Sequence, residues 1–100
     1  MTTDEEDRIE IQLTQMKKLI EDTLETLKKK RFDYGSSFDD SIKKFGGLAY
    51  EIALDWKINR VHTFHKKGIL KNESLEDALR DIIGYTLLYW RILHFESDKE

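Results

Sequence analysis

Apolar residues recur at alternating intervals of three and four along the first third of the chain. This spacing predicts an amphipathic helix from Arg8 to about Arg31. Its apolar positions are Ile9, Leu13, Met16, Ile20, Leu24 and Leu27. Fewer than three heptads are present, which favours packing within a bundle over a free coiled coil. The helix ends with four basic residues, 28–31. They either stabilise the negative end of the helix or form the edge of a phosphate-binding site.

The middle of the chain predicts a turn, a short helix and a second long helix. Segment 32–37 contains turn-forming residues, and a short helix follows from Phe38 to Phe45. The next helix, from Leu48 to about Lys67, is apolar around most of its circumference. A helix of this kind is buried on more than one side. In a chain of 100 residues it therefore predicts contacts with a second subunit.

The last helix is predicted from Leu75 to about Phe95. Ser74 precedes it and Asp77 lies three residues further on, which is the spacing of a capping box. The short connector 69–71 predicts antiparallel packing of the last two long helices. The patterns together predict an all-α fold, a small helical bundle of three long helices plus one short helix. We expect one domain over residues 1–100, assembled as an oligomer, with disordered tails at 1–7 and 96–100.

Composition narrows the classes of function. Charged side chains make up 37% of the chain, proline is absent and the net charge is −3, a balance typical of helical proteins. The lack of cysteine excludes disulfides and thiolate chemistry. Acids and bases are interspersed without a one-sided basic face, so no nucleic-acid partner is expected. The acidic N-terminus predicts no signal peptide, and no apolar run is long enough for a membrane span, so the predicted location is cytoplasmic.

Acidic residues recur every four positions at the start of the last helix. Glu73, Asp77 and Asp81 therefore share a narrow arc, where a cation or basic side chains must offset their repulsion. Glu51 and Asp55 share an arc on the preceding helix. Antiparallel packing could bring Glu51, Asp55, Asp77 and Asp81 together, and carboxylates suit Mg²⁺ as a cofactor. The alternative is that the acids pair with Lys or Arg across the bundle, while Asp77 caps its helix.

Three short motifs occur in order between Phe32 and Tyr89. They are Asp33-Tyr34-Gly35 followed by Ser37-Phe38, the pair Lys57 and Arg60, and Asn72-Glu73-Ser74-Leu75-Glu76-Asp77 followed by Asp81 and Tyr85. Together they resemble the nucleotide-modification-associated domain (type 1) family of phages and bacteria. The resemblance implies nucleotide handling without naming a reaction.

The resemblance also implies a set of ligand-binding residues. Lys57 and Arg60 would meet phosphate, Tyr34 would stack on a base, and the acids would bind sugar hydroxyls, amino groups or Mg²⁺. An ordinary packing role at the helix joint is the alternative for Tyr34. The full set is Asp33, Tyr34, Lys57, Arg60, Glu73, Asp77 and Asp81.

A more distant similarity links the acidic helices to all-α nucleoside-triphosphate pyrophosphohydrolases of the MazG and dimeric dUTPase type. In those enzymes, acids from two neighbouring helices hold Mg²⁺ on the substrate phosphates. Their motifs are Glu-Glu-x-x-Glu and Glu-x-x-Asp, whereas this chain has Glu51-x-x-x-Asp55 and Glu73-x-x-x-Asp77. Both departures weigh against hydrolysis.

The sequence therefore predicts a phage-type nucleotide-binding protein. Its ligand, a nucleotide or a nucleotide-derived molecule such as a cyclic immune signal, would lie between helices or subunits of a homo-oligomer. We expect sequestration without turnover, in the host cytoplasm if the protein is phage-encoded. The alternatives are an Mg²⁺-dependent nucleoside-triphosphate pyrophosphohydrolase and a purely structural helical interaction protein.

Overall fold

The computed structural model describes residues 3–34 and 36–96, and over these residues the chain is helical without any strand. The helices are α1 (Asp4–Tyr34), α2 (Ser37–Phe45), α3 (Gly47–Lys67) and α4 (Leu75–Phe95). The predicted all-α class is thus confirmed. None of the described helices combines the length and apolar character that crossing a membrane requires. The chain divides into two compact units, Met1–Asp33 and Tyr34–Glu100.

The first unit consists of α1, which is longer at both ends than its apolar spacing predicts. A capping box starts the helix: Glu6 N donates to Thr3 Oγ1 at 3.0 Å, and Thr3 N donates to Glu6 Oε2 at 3.4 Å. Four acidic residues then fill the first turn, where the helix dipole stabilises negative charge. The prediction of a disordered tail is therefore wrong for residues 3–7, while residues 1 and 2 lie outside the described part.

The C-terminal end of α1 extends to Tyr34, so the predicted break at 32–37 begins too early. Asp33 and Tyr34 occupy the last turn of the helix instead of a loop. The short helix α2 then runs from Ser37 to Phe45, one residue longer than predicted. Of the predicted C-terminal tail, only Glu96 is described; it follows α4 directly and lies 3.5 Å from Arg91. Residues 97–100 lie outside the described part.

In the second unit, α3 and α4 pack antiparallel, as their short connector predicts. Gly68 ends α3 in the left-handed conformation, with φ of 76°, which glycine adopts without strain. Ser74 starts α4 with the predicted capping box. At the far end of the pair, the Tyr50 and Tyr89 rings stack with centroids 4.7 Å apart. Tyr50 also hydrogen-bonds Thr86, with 2.8 Å between the two hydroxyl oxygens.

The second unit has a thin core. Ile42 and Ala78 are the only described hydrophobic residues that are buried, and no residue of α3 is buried. Large side chains of α3 stay exposed although the helix is apolar nearly all round; Trp56 is 63% exposed and Ile52 is 45% exposed. Surface of this kind is typical of helices that pack against a partner. Oligomerisation remains a prediction.

Gly47 allows the close approach of α3 and α4. A Cβ at this position would lie 2.6 Å from the Tyr89 hydroxyl oxygen, whereas the nearest ring carbon is at 3.5 Å.

We predict that Gly47→Ala lowers the free energy of unfolding by about 1–2 kcal/mol, because the stacked Tyr89 ring cannot withdraw freely. In a Tyr89→Phe background the same change should be neutral or stabilising, because alanine favours a helix over glycine. Urea unfolding of wild type, the two single variants and the double variant measures both effects. An equal loss in the free energy of unfolding from Gly47→Ala in the two backgrounds would contradict the prediction.

Candidate functional site

Four charged side chains meet where α3 and α4 pack together, and we call Lys57, Arg60, Glu73 and Asp81 the Lys57 cluster. Lys57 Nζ lies 2.8 Å from Asp81 Oδ2 and 3.4 Å from Glu73 Oε2. Arg60 Nε lies 2.5 Å from Glu73 Oε1. Two bases and two acids therefore balance one another across the helix pair.

The cluster follows from local structure. Lys57 and Arg60 are three residues apart on α3, so they project from neighbouring positions of the same face. Asp81 lies in the second turn of α4, and Glu73 immediately precedes the capping residue Ser74. Antiparallel packing brings the start of α4 beside the C-terminal half of α3. The arrangement joins four of the seven residues predicted to bind ligand.

Burial distinguishes the members of the cluster. The Lys57, Asp81 and Glu73 side chains are only 14%, 15% and 19% exposed, whereas Arg60 is 44% exposed. Charges that have lost most of their water require partners, because desolvation of an unpaired ion is costly. Lys57 and Asp81 therefore act as each other's ion-pair partner, while Arg60 remains accessible to solvent.

The pKa of Lys57 reflects this environment. Burial by itself lowers the pKa, because it disfavours the charged amine. The hydrogen bond and negative charge of Asp81, together with the charge of Glu73, outweigh burial and the opposing charge of Arg60. The net result is a pKa above the usual value of lysine, so Lys57 stays charged at neutral pH.

Glu73 has an unsatisfied oxygen. Its Oε1 is buried and accepts no hydrogen bond from the described residues. Arg60 Nε is near enough to form an ion pair with it, but its N–H group is not aligned for a hydrogen bond. Glu73 Oε1 is therefore held by charge attraction to the Arg60 guanidinium rather than by an aligned hydrogen bond.

Asp77 lies on the same helix as the cluster but has a structural task. Its backbone N–H donates to Ser74 Oγ at 3.0 Å, and Ser74 N donates to Asp77 Oδ2 at 3.2 Å. Arg80 donates to Asp77 Oδ1 at 3.1 Å. The repulsion expected along the 73–77–81 arc is thus offset by basic side chains, Lys57, Arg60 and Arg80.

The predicted metal ligands are not gathered into one group. Glu51 and Asp55 are both exposed on α3, Asp77 caps α4 and Asp81 pairs with Lys57. Within residues 3–34 and 36–96, no three His, Asp or Glu side chains are arranged to hold a metal ion. The Mg²⁺ site at Glu51, Asp55, Asp77 and Asp81 therefore stays a prediction. Asp33 and Tyr34 end α1, and their ligand-binding roles also stay predictions.

A shallow groove adjoins the cluster and was not predicted. Trp56, Asn59, Arg60 and Thr63 line it along α3, and we call it the Trp56 groove. The helical pattern indicated Trp56 as a core residue, because its spacing matches that of the apolar positions. Its exposure places a surface aromatic beside Arg60, the more exposed of the two cations of the cluster. Asn59 lies beside the predicted polar residues of α3, which is the one signal that sequence offered.

A second ion pair, Asp39 with Arg91, was also missed. Arg91 lies 3.1 Å from Asp39 Oδ2, and Asp39 is 8% exposed. A separate contact between the same two helices stacks the Phe38 and Tyr85 rings, with centroids 5.3 Å apart. These contacts fasten α2 to α4. Asp39 is one of two adjacent acids in the first turn of a short helix, so its sequence context indicates helix capping as readily as pairing.

Comparisons with protein-family models, with curated proteins and with solved structures find no match to this chain. The resemblance drawn from the three motifs therefore rests on those residues alone.

The contact between Lys57 and Asp81 should be energetically coupled. We predict that Asp81→Asn and Lys57→Met each lower the free energy of unfolding by about 2 kcal/mol, because each leaves a partly buried charge short of a partner. The double variant should lose at least about 1 kcal/mol less than the sum of the two. Asp22→Asn is the matched control, because its pair with Lys18 is exposed and should be worth under about 0.5 kcal/mol. Additive effects in a urea-unfolding cycle would contradict the coupling.

The raised pKa of Lys57 predicts a pH dependence of stability. The folded state holds this proton more tightly than the unfolded chain, so the stabilisation is complete below the unfolded value of about 10.5. It is lost as the pH rises through the higher folded value. Wild type should therefore lose stability faster than Lys57→Met above about pH 10.5. Other lysines and tyrosines titrate in both proteins, so parallel curves would show that Lys57 has no such linkage.

Proposed function

We propose that this chain binds a nucleotide or a nucleotide-derived small molecule at the Lys57 cluster and the adjoining Trp56 groove. The neighbouring Arg60 and Trp56 carry the proposal, because the guanidinium is 44% exposed and lines the same groove as the 63% exposed Trp56 ring. A guanidinium suits phosphate, and an aromatic face suits a base. The motif resemblance supports the same class of ligand, because its motifs include Lys57, Arg60, Glu73 and Asp81.

Arg60 would connect the two parts of the site. It contacts Glu73 through Nε, and its NH1 donates to the Trp56 carbonyl oxygen at 3.3 Å. At 44% exposure the guanidinium can still reach a phosphate, whose geometry suits its paired donors. The neighbouring Trp56 ring offers a face on which a base can stack. Asn59 can both donate to and accept from a base edge.

The ligand would be held without turnover. A pyrophosphohydrolase needs carboxylates for Mg²⁺ and for an activated water. Here Asp81 is engaged by Lys57, and Asp77 is engaged by Ser74 and Arg80. Releasing Asp81 for a metal would break a contact between α3 and α4, and releasing Asp77 would break the capping box that starts α4. Sequestration of a phage- or host-derived nucleotide, within a homo-oligomer, is the function we infer.

The test is binding of a panel of nucleoside monophosphates, triphosphates and cyclic dinucleotides, measured by titration calorimetry with the full chain. We predict that at least one class binds and that Arg60→Gln weakens it about tenfold or more, or about 1.4 kcal/mol. Lys67→Gln removes the same charge from the exposed end of α3 and should change affinity less than about twofold. The complex is then denatured, and the released molecule is identified by mass spectrometry.

Intact ligand recovered in proportion to protein supports the proposal. Pyrophosphate released in repeated cycles, and lost with a chelator or with Asp55→Asn, would replace it with the hydrolase. If no nucleotide binds, the proposal is contradicted. A structural role as a helical interaction protein would then be the better account of this chain.

A further inference from the structure

The outer side of α4 carries an apolar stripe that packing against α2 and α3 leaves exposed. Its members are Leu79, Ile83, Trp90 and Leu93, and we call them the α4 stripe. At the helical repeat they fall within about 80° of arc. Each of the four is between 40% and 64% exposed. Asp81, which contacts α3, is two residues beyond Leu79 and therefore projects from the other side of the helix.

A groove beside the stripe has the form of a helix-packing hole. Leu87, Trp90, Arg91 and His94 line it at positions i, i+3, i+4 and i+7, the four corners of a hole in knobs-into-holes packing. Phe95 completes the lining, and the groove has a volume of about 270 Å³. In packed helices, one side chain of the facing helix fills such a hole. The outer side of α4 is thus shaped to receive another helix.

The stripe is symmetrical about its centre. Leu79 and Leu93 are centred on Thr86, and Ile83 and Trp90 are centred half a residue further along the chain. A reversed copy of the helix therefore places Leu79 beside Leu93. It also places Ile83 beside Trp90, at the mouth of the groove. One chain supplies both the apolar side chain and the hole that would receive it.

The centre of this contact contains no unsatisfied polar group. The Thr86 hydroxyl donates to the Ile82 carbonyl oxygen at 2.8 Å, and its oxygen lies 2.8 Å from the Tyr50 hydroxyl oxygen. Thr86 therefore makes its hydrogen bonds within one chain and needs none from a partner.

Charged residues lie on the flank of the stripe and already have partners. Arg80 pairs with Asp77, and Arg91 pairs with Asp39, at 3.1 Å in both cases. In the reversed arrangement Arg80 lies opposite His94 of the second copy, which is neutral at pH 7. Two copies can therefore meet on this face without burying an unpaired charge.

Antiparallel pairing also suits the sizes of the side chains. A parallel pair would place two Trp90 rings in one layer, whereas the reversed pair places each ring against the smaller Ile83. The reversed pair further sets the positive end of each helix dipole beside the negative end of the other. The stripe is about 21 Å long, and two such faces would bury about 1,000 Å² in total, the lower end for a specific interface.

We propose that the α4 stripe is a self-association surface, on which the stripe of a second copy of this chain packs antiparallel about a twofold axis near Thr86. Ile83 of each copy enters the groove beside Trp90 of the other. This inference does not rest on the nucleotide site, because the stripe shares no residue with the Lys57 cluster or the Trp56 groove.

Orientation is tested with introduced thiols, since the chain has no cysteine of its own. Leu79→Cys and Leu93→Cys are made separately in the full chain, and one of them is isotope-labelled so that the crosslinked products differ in mass. After mild oxidation, the mixture should yield mainly the mixed disulfide. Either variant alone should stay largely uncrosslinked, because like positions lie about 21 Å apart along the pair. Efficient self-crosslinking of each variant alone would show parallel pairing and overturn the proposal.

Association itself is tested by sedimentation equilibrium. Wild type should dimerise with a Kd of about 10–100 μM, as an interface of this size allows. Ile83→Lys should weaken the dimer at least about tenfold, because it places a charge at the groove. Ile52→Lys is the matched control: Ile52 is 45% exposed on α3, so the change should leave the Kd within about twofold.

Leu93→Lys, at a position that is 50% exposed, is a second variant of the stripe and should act like Ile83→Lys. Far-UV circular dichroism confirms that each variant compared is helical, so that loss of the dimer is not loss of the fold. Equal effects of Ile83→Lys and Ile52→Lys would overturn the proposal. A wild-type chain that stays monomeric to about 1 mM would also overturn it.

Discussion

The ion pair between Lys57 and Asp81 is the constraint on which the rest of the second unit depends. It joins α3 to α4 at 2.8 Å, in surroundings where neither charge keeps much contact with water. Because each ion needs the other, the pair fixes the register of the two helices, and register brings Glu73 beside Arg60. At the opposite end of the helix pair, Tyr50, Tyr89 and Gly47 define the separation of the same two helices. The candidate site is thus a consequence of how α3 and α4 are held together.

Helices were predictable because their signals are local. Ser74 and Asp77 specified the start of α4, and Gly68 specified the end of α3, through interactions within a few residues. The acidic first turn of α1 is hard to distinguish from a tail by sequence, because a run of acids is equally polar in a capped helix and in a free terminus. The capping pair Thr3 and Glu6 is the signal that distinguishes the two.

The site was only partly predictable, because its chemistry depends on contacts between helices. The four-residue spacing of acids required basic neighbours, but spacing alone could not say that Lys57 would meet Asp81 and Glu73. Trp56 shows the converse limit: its position matches an apolar stripe, and only the packing of α3 shows that the described residues leave it 63% exposed. Exposure of a side chain and its pairing with another depend on tertiary contacts, so they are visible only in the structure. The ion pair between Arg60 and Glu73 is a tertiary property of the same kind.

The central claim, that Lys57 is a charged and paired group within the α3–α4 contact, is tested most directly by NMR titration of the lysine Nζ resonances. The account predicts that Lys57 titrates above the ordinary lysine value of 10.5, and that Asp81→Asn moves its pKa downward, because burial then acts with less opposing charge. A Lys57 pKa at or below 10.5 that Asp81→Asn leaves unchanged would contradict the account.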